Sequence, residues 1–262
     1  MNLRGLLLLL VVALASACAT VSETGRSQLL LISPAQEMQL GLSEFDKLKQ
    51  AKPVSNDPGA TAMLQRVGQR IAAVAKLPDA QWEFVLFDDA KTPNAFCLPG
   101  GKVGVYTGIL PITQDETGLA VVIGHEVAHA VARHGAERVS QGLLFQLGGQ
   151  ALDVAMQNNS QAARQIALGA YGLGGQVGVL LPYSRKQESE ADHIGLLYMA
   201  RAGYDPRAAV EFWKRFAAHK DQHGGGSQPE FLSTHPLDET RIRPVEALMP
   251  RAAAEYQAAT TR

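Results

Sequence analysis

The chain has 262 residues, with 24 Lys and Arg against 25 Asp and Glu, so its formal net charge at pH 7 is −1. Basic and acidic residues are nearly equal in number, so the composition gives no sign of a basic surface for nucleic acid, and we expect no nucleic-acid partner. The two cysteines, Cys18 and Cys97, are too few for a disulfide framework. The length suits one large domain or two small ones around a sizeable core.

The first residues have the pattern of a targeting segment. Arg4 precedes an unbroken apolar run from Leu6 to Leu14, and the tripeptide Ala-Ser-Ala at 15–17 has the small-x-small form of a cleavage site. The apolar run is well short of the ~20 residues that a membrane span needs. We therefore predict a signal peptide over residues 1–17 and an exported mature protein.

Cys18 directly follows the predicted cleavage site. Residues 14–18 resemble the lipobox of bacterial lipoproteins, although Leu14 lies four residues before the cysteine instead of three. We therefore predict lipidation of Cys18. The acyl chains would anchor the protein to a membrane, since each buried acyl methylene contributes ~0.8 kcal/mol. The alternative is an ordinary secreted protein. With Ala19 beside the cysteine, the pattern predicts an outer-membrane lipoprotein on the periplasmic side of a bacterial envelope, with 18–32 as lipidated cysteine and tether.

The rest of the chain predicts an α+β, mainly helical fold. Ser33 and Pro34 begin a helix to about Ala51, and Thr113 to Glu116 forms a capping box for a later helix. Alternating apolar residues and turn signals predict a small sheet from strands at 82–87 and within 94–106. The other predicted helices lie at about 60–76, from 185, at 205–220 and up to 248, before an alanine-rich tail at 251–262.

From Gly118 to Ala132 the only ionisable residues are His125, Glu126 and His129. Such a helix is buried on most of its surface, and burying three polar groups costs free energy unless something binds them. At about 3.6 residues per turn, both histidines lie on one face and can bind one zinc ion. Glu126 points about 100° away from the histidines. It is a poor ligand there, but it can take a proton from a water molecule bound to the metal. The alternative is a chance match of buried histidines.

A catalytic zinc ion takes three protein ligands, so another His, Asp or Glu must follow. The segment from Ser184 to Gly195 is the best candidate source. In that segment, Glu188 and Asp192 are four residues apart and share a helix face. Glu188 can then bind the metal while Asp192 hydrogen-bonds a ligating histidine.

Four motifs together resemble the HtpX/LoiP/BepA zinc metallopeptidases, which are relatives of the CAAX prenyl endopeptidase. The resemblance runs from about Ser33 to Arg243, and its motifs are His125-Glu126-Val127-Ala128-His129, Glu188-x-x-x-Asp192, Asn94-Ala95-Phe96 with Pro99-Gly100-Gly101, and Ser233-Thr234-His235-Pro236.

The resemblance implies a gluzincin-type metalloprotease domain over 33–250, with a small sheet beside the zinc-binding helix. It implies one Zn²⁺ per chain on His125, His129 and Glu188, with Asp192 as helper; Glu190 is a competing ligand that the family pattern disfavours. The chain is most similar to the lipoprotein branch, without a helical-repeat domain. The implied activity is hydrolysis of peptide bonds in unfolded or misassembled cell-envelope proteins, as envelope quality control.

Three further assignments follow from the resemblance. The strand from Lys102 to Tyr106, through Val103, Gly104 and Val105, would be the edge that pairs with an extended substrate. His235 would be a ligand that keeps the enzyme latent, or else an N-cap residue before Pro236. Arg241 would polarise the scissile carbonyl oxygen.

Three alternatives remain open. The chain could be a metal-bound chaperone or assembly factor that holds envelope clients without cutting them; the intact Glu126 favours the enzyme. It could be an integral membrane protein built around residues 165–181, since Gln165 to Ser184 is uncharged and glycine-rich, although a helix and loop over the site or at the membrane surface fits better. A thiol hydrolase using Cys97 is the least supported.

Overall fold

A computed structural model describes residues 18–175, 180–223 and 241–261. The predicted signal peptide and His235 lie outside the described residues. The helices are α1 (Pro34–Ala51), α2 (Pro58–Ala72), α3 (Leu110–Thr113), α4 (Glu116–Val131), α5 (His134–Ala155), α6 (Gln161–Gly175), α7 (Leu181–Arg201), α8 (Ala208–His223) and α9 (Ile242–Thr260), with a 3₁₀ turn at Thr107–Ile109. The strands are β1 (Cys18–Thr20), β2 (Ser27–Leu29), β3 (Glu83–Phe87), β4 (Ala95–Leu98) and β5 (Lys102–Tyr106).

The mainly helical α+β class is confirmed, and most boundaries agree within a few residues. The tail predicted at 251–262 is instead helical to Thr260, and its Ala252 is buried. The chain forms two compact units, one of residues 1–34 and 133–187 and one of residues 35–132 and 188–262. The metallopeptidase domain predicted over 33–250 takes in parts of both units and stays a prediction.

In the first unit, the tether predicted for residues 18–32 is an antiparallel hairpin of β1 and β2. Its Val21 and Leu30 are buried. Arg26 donates through two nitrogens to the carboxylate of Glu137 on α5, at 2.8 and 2.9 Å, and Gln187 donates to the same carboxylate at 2.8 Å. Buried apolar side chains and a half-buried ion pair therefore order this segment, and its role as a tether stays a prediction.

Helices α5 and α6 of the same unit pack against each other through the stacked rings of Phe145 and Tyr171, whose centroids are 4.7 Å apart. Leu147, Ile166 and Leu173 are exposed on this pair. The helix predicted within the uncharged glycine-rich segment is thus present. Within the described residues, no helix combines the length and apolarity needed to cross a membrane.

In the second unit, the sheet has the strand order β3-β5-β4. β5 pairs in parallel with β3 and antiparallel with β4. The prediction that Lys102, Val103, Gly104 and Val105 form the substrate-binding edge is therefore wrong. β5 uses its backbone groups on both sides, and all its residues are buried. β4 is the edge strand that packs on α4.

Glycines shape the turn and the face of these strands. Gly100 and Gly101 have φ values of +86° and +80° in the tight turn between β4 and β5, a conformation that side chains disfavour. Gly104 lies under the rings of Phe96 and Phe87, which occupy the space that a Cβ atom would need. The Pro-Gly-Gly turn predicted from the sequence is confirmed.

Helix α4 is the buried helix that the sequence predicts, and its residues 118–130 are all buried. Asp115, not Thr113, is its N-cap: the Asp115 carboxylate accepts a 2.8 Å hydrogen bond from the Gly118 N–H. Thr113 belongs to the preceding short helix α3, and its hydroxyl bonds the Leu110 carbonyl. The predicted capping box is therefore wrong in detail: α3 ends at Thr113, the residue at which the box is predicted to begin, and Asp115 caps α4 instead.

Helices α4 and α7 touch backbone to backbone at one pair of glycines. A Cβ atom on Gly124 would lie 2.8 Å from the Gly195 carbonyl oxygen, and one on Gly195 would lie 2.8 Å from the Gly124 carbonyl carbon and the His125 nitrogen. Helices that carry side chains at the contact pack 8–10 Å apart. The glycine pair permits a closer approach at the position where the two histidines of α4 face α7.

We expect Gly195→Ala to lower the free energy of unfolding by about 1–3 kcal/mol, because the added methyl group forces two backbones apart. Gly142→Ala is the matched control: this helical glycine has nothing within 4 Å of an added Cβ. The control should raise stability by roughly 0.5–1 kcal/mol, the difference in helix propensity. Urea unfolding of the zinc-free variants, followed by far-ultraviolet circular dichroism, measures both. Equal effects would contradict the glycine contact.

Candidate metal centre

Two helices bring three metal-binding side chains together. His125 and His129 come from α4, one turn apart, and Glu188 comes from α7. The two Nε2 atoms and the Glu188 carboxylate form a small triangle, in which a different carboxylate oxygen faces each histidine: Nε2 to Nε2 is 3.1 Å, His125 Nε2 to Glu188 Oε2 is 3.3 Å, and His129 Nε2 to Glu188 Oε1 is 3.4 Å. All three residues are buried. The structure therefore assembles the set that the sequence predicts, with Glu188 and not Glu190 as its acidic member.

The triangle fits a zinc ion. With bonds of roughly 2.0–2.1 Å in tetrahedral geometry, ligand atoms lie about 3.3–3.4 Å from one another. The three separations observed here are within a few tenths of an ångström of that value. Two imidazoles and one carboxylate also match the donor types of catalytic zinc sites, which leave a fourth position for water.

Asp192 lies one turn after Glu188 on α7. Its Oδ1 is 3.0 Å from Nδ1 of His125, on the opposite side of the imidazole ring from the ligand triangle. Such a contact fixes the ring orientation and the tautomer of a metal ligand. The structure thus places Asp192 where the sequence predicts a helper.

Arg241 contacts the carboxylates of both Asp192 and Glu188. Its Nε and one terminal nitrogen donate to Asp192 at 2.8 and 2.7 Å, and its other terminal nitrogen is 3.4 Å from Glu188. The side chain is 5% exposed. This placement corrects the expectation that Arg241 polarises a substrate carbonyl, because the guanidinium is directed at buried carboxylates.

The same contacts set the ionisation of the site in the metal-free chain. Burial lowers the pKa of His125, but the carboxylates of Asp192 and Glu188 outweigh it and raise that pKa to about 9. Burial likewise raises the pKa of Asp192, but Arg241 and His125 outweigh it, so the carboxyl stays ionised with a lowered pKa. A position that favours a proton so strongly is one where the surrounding charges favour a cation.

Glu126 is buried on α4 between the two histidines. Its charge is close enough to the β4 residue Cys97 to affect the thiol: burial raises the pKa of Cys97, and the Glu126 carboxylate raises it further. A thiol with a raised pKa is a poor nucleophile, because the thiolate is the reactive form. The structure therefore gives no support to a thiol hydrolase.

The sequence reasoning missed Trp213, a buried residue of α8. The Arg241 guanidinium carbon lies 4.5 Å from the centroid of its ring, and the His125 ring approaches it edge-on at 5.6 Å. The sequence carried one signal of this kind, an aromatic cluster at helical spacing in Phe212, Trp213 and Phe216. That cluster resembles any apolar helix face.

A buried His-His-Glu group with a glutamate between its two histidines defines a metallopeptidase centre. The chain belongs to peptidase family M48, whose model matches residues 58–249. Zinc is the metal of this family, and the donor set described above fits it.

Three relatives show the range of similarity. The chain is 42% identical to "Mitochondrial metalloendopeptidase OMA1" of Schizosaccharomyces pombe, over 73% of this chain and 54% of the relative. It is 33% identical to "Metalloendopeptidase OMA1, mitochondrial" of Homo sapiens, over 87% and 45%. It is 29% identical to the "Beta-barrel assembly-enhancing protease" of Escherichia coli K12, over 88% and 47%. The chain thus spans about half the length of these relatives.

The predicted zinc metallopeptidase family is confirmed, but the predicted location is wrong. Relatives at 42% and 38% identity are mitochondrial proteins of yeasts, whereas the bacterial relative is at 29%. The location in a bacterial envelope as an outer-membrane lipoprotein was inferred from a short apolar run and one cysteine, a pattern of few residues with little specificity. Lipidation of Cys18, which is exposed in β1, stays a prediction.

We expect Arg241→Gln to lower the free energy of unfolding of the zinc-free chain by about 3–5 kcal/mol, because it removes the guanidinium that donates to the buried Asp192 and lies 3.4 Å from the buried Glu188. Arg243→Gln, an exposed arginine of the same helix, is the control and should change it by less than about 0.5 kcal/mol. Urea unfolding measures both. If Arg241→Gln left the free energy of unfolding unchanged and reduced only kcat, the result would support a role of Arg241 in polarising the scissile carbonyl group.

Proposed function

We propose that this chain is a zinc-dependent endopeptidase that cuts unfolded or misassembled proteins. In this proposal His125, His129 and Glu188 bind one zinc ion, and Glu126 is the general base. The observation that carries the proposal is the grouping of two Nε2 atoms, 3.1 Å apart, with the Glu188 carboxylate, whose two oxygens lie 3.3 and 3.4 Å from them, and with Glu126 on the same buried helix as the histidines. A structural zinc site has no need of such a base.

Each residue of the site then has a distinct task. Zinc, when bound, supplies a Lewis acid that lowers the pKa of water and polarises a carbonyl group. Glu126 accepts the proton of the attacking water and returns it to the leaving amine nitrogen. Asp192 keeps the His125 ring in place, and Arg241 keeps Asp192 ionised and directed at that ring.

The edge strand for a substrate is β4 in this proposal. The Tyr106 N–H donates to the Asn94 carbonyl at 3.0 Å, so in the register Ala95↔Val105 the residues Phe96 and Leu98 bond to β5. Ala95 and Cys97 then direct their backbone groups away from β5; the Ala95 N–H donates to Oδ1 of Asn94 at 2.9 Å, so the groups proposed for pairing are the Ala95 carbonyl and the N–H and carbonyl of Cys97. An extended segment can pair with them through main-chain bonds, which gives affinity with little sequence selectivity.

An enzyme that binds substrate as a strand needs an unfolded segment, since residues inside a folded domain already use their backbone groups. The Escherichia coli relative is named for enhancing the assembly of beta-barrels. This supports a role in protein quality control, with incompletely folded proteins as the clients of this chain.

We expect Glu126→Gln to reduce casein cleavage by the zinc-loaded protein about 10²–10⁴-fold, because it removes the general base. The variant should still bind one zinc ion per chain, since its ligands are unchanged. Glu44→Gln, a carboxylate on the surface of α1, is the control and should cut at the parent rate. Peptide-product assays and zinc analysis of the same samples provide the measurement.

Three other outcomes would decide against parts of this proposal. Equal cleavage by parent and Glu126→Gln would mean a contaminating protease or a wrong base. Tight zinc binding without cleavage by either would favour the metal-bound chaperone. Failure of the parent to bind zinc would reject the ligand set.

We also expect a strong preference for unfolded substrate. Reduced and alkylated ribonuclease A should be cut at least about 10³-fold faster than the native, disulfide-bonded protein, because native domains open only rarely. Gel electrophoresis of timed digests at equal substrate concentration measures the ratio. Similar rates for both forms would exclude strand addition to β4 as the way in which substrate binds.

A further inference from the structure

We propose that Trp213 is a positioning residue of the zinc centre, which holds Arg241 and His125 in the orientation that zinc binding requires. The proposal rests on the ligand set proposed above and adds a residue from a third helix, α8. Trp213 carries neither a metal-ligating atom nor a general base, so its effect must pass through its two neighbours.

Four buried side chains form a closed ring of contacts. His125 meets Asp192 at 3.0 Å, and Asp192 accepts two hydrogen bonds from Arg241. The Arg241 guanidinium lies over the Trp213 ring, with its carbon 4.5 Å from the ring centroid. The ring closes where His125 and Trp213 meet at a centroid distance of 5.6 Å and an interplanar angle of 75°.

The Trp213 face restricts the guanidinium in a way that the carboxylates alone do not. A guanidinium can rotate or shift along a carboxylate while keeping one of its two hydrogen bonds. The Trp213 indole attracts the guanidinium cation electrostatically, and its flat ring restricts the planes that the guanidinium can adopt. The two-pronged contact with Asp192 is thereby fixed in plane as well as in distance.

His125 is restricted at two points of its ring. Asp192 holds Nδ1, and the Trp213 ring packs edge-on against the imidazole, so the direction of the opposite Nε2 is set before zinc binds. Residues that orient a metal-bound histidine typically contribute 10–100-fold to metal affinity. Because Trp213 carries no charge, replacing it leaves the net charge of the site unchanged and tests orientation alone.

The experiment compares Trp213→Leu and Trp213→Phe with the parent in the full chain. The control is Phe212→Leu: Phe212 is fully buried on the same helix, and its ring contacts in the described part of the chain are with Trp213 and Phe216. Zinc affinity is measured by competition with a chromophoric chelator. The visible absorption spectrum of the Co²⁺-substituted protein reports the ligand geometry independently of activity.

We expect Trp213→Leu to weaken zinc binding about 10–100-fold and to change the Co²⁺ spectrum. Trp213→Phe keeps an aromatic face and should recover most of this, to within about 5-fold of the parent. Phe212→Leu should lower thermal stability and leave zinc affinity within about 2-fold.

Two results would overturn the proposal. One is parental zinc affinity and an unchanged spectrum in a folded Trp213→Leu variant, which would leave the ligand set intact and reject only the role of Trp213. The other is an equal loss of affinity in Phe212→Leu, which would reduce the effect to general packing. A parent that binds no zinc would instead reject the ligand set, and this proposal with it.

Discussion

The contact between Gly124 and Gly195 determines the distance between the helices that supply the proposed metal ligands. Gly124 directly precedes His125, while Glu188, Asp192 and Gly195 recur at intervals of four and three residues on one face of α7. The face of α7 that touches α4 is therefore the face that carries the acidic groups. Because donor atoms must lie about 3.3 Å apart to share a zinc ion, a shift of 1 Å between these helices would open the site.

The charges of the site require a metal ion as much as its geometry does. Glu126, Glu188 and Asp192 are all buried, and with the guanidinium of Arg241 they make a group of three negative charges and one positive charge. A divalent cation would make this group neutral, which accounts for how three carboxylates can be buried on two helices. The raised pKa of His125 has the same origin, since a proton is the cation available to a metal-free chain.

The local pattern of the site could be predicted from the sequence because its ligands lie one helical turn apart. His125 and His129 need only helix geometry, and Glu188 with Asp192 repeats that spacing. The positions of Arg241 and Trp213 depend on how α8 packs against α4 and how α9 packs against α8, and no periodicity records that packing. The hairpin at 18–29 escaped prediction for a similar reason, because its order depends on Glu137, which is more than 100 residues away.

The assignment of the edge strand shows the same limit and bears on how a substrate would reach the base. Two short strands joined by a Pro-Gly-Gly turn look alike in sequence, and only the pairing of β5 with β3 shows that β4 has the free side. The Glu126 carboxylate raises the pKa of Cys97 on β4, so its charge reaches the strand that a substrate would extend. A peptide added to β4 would lie beside a strand that packs on α4, the helix of the proposed base, whereas β5 is paired on both sides.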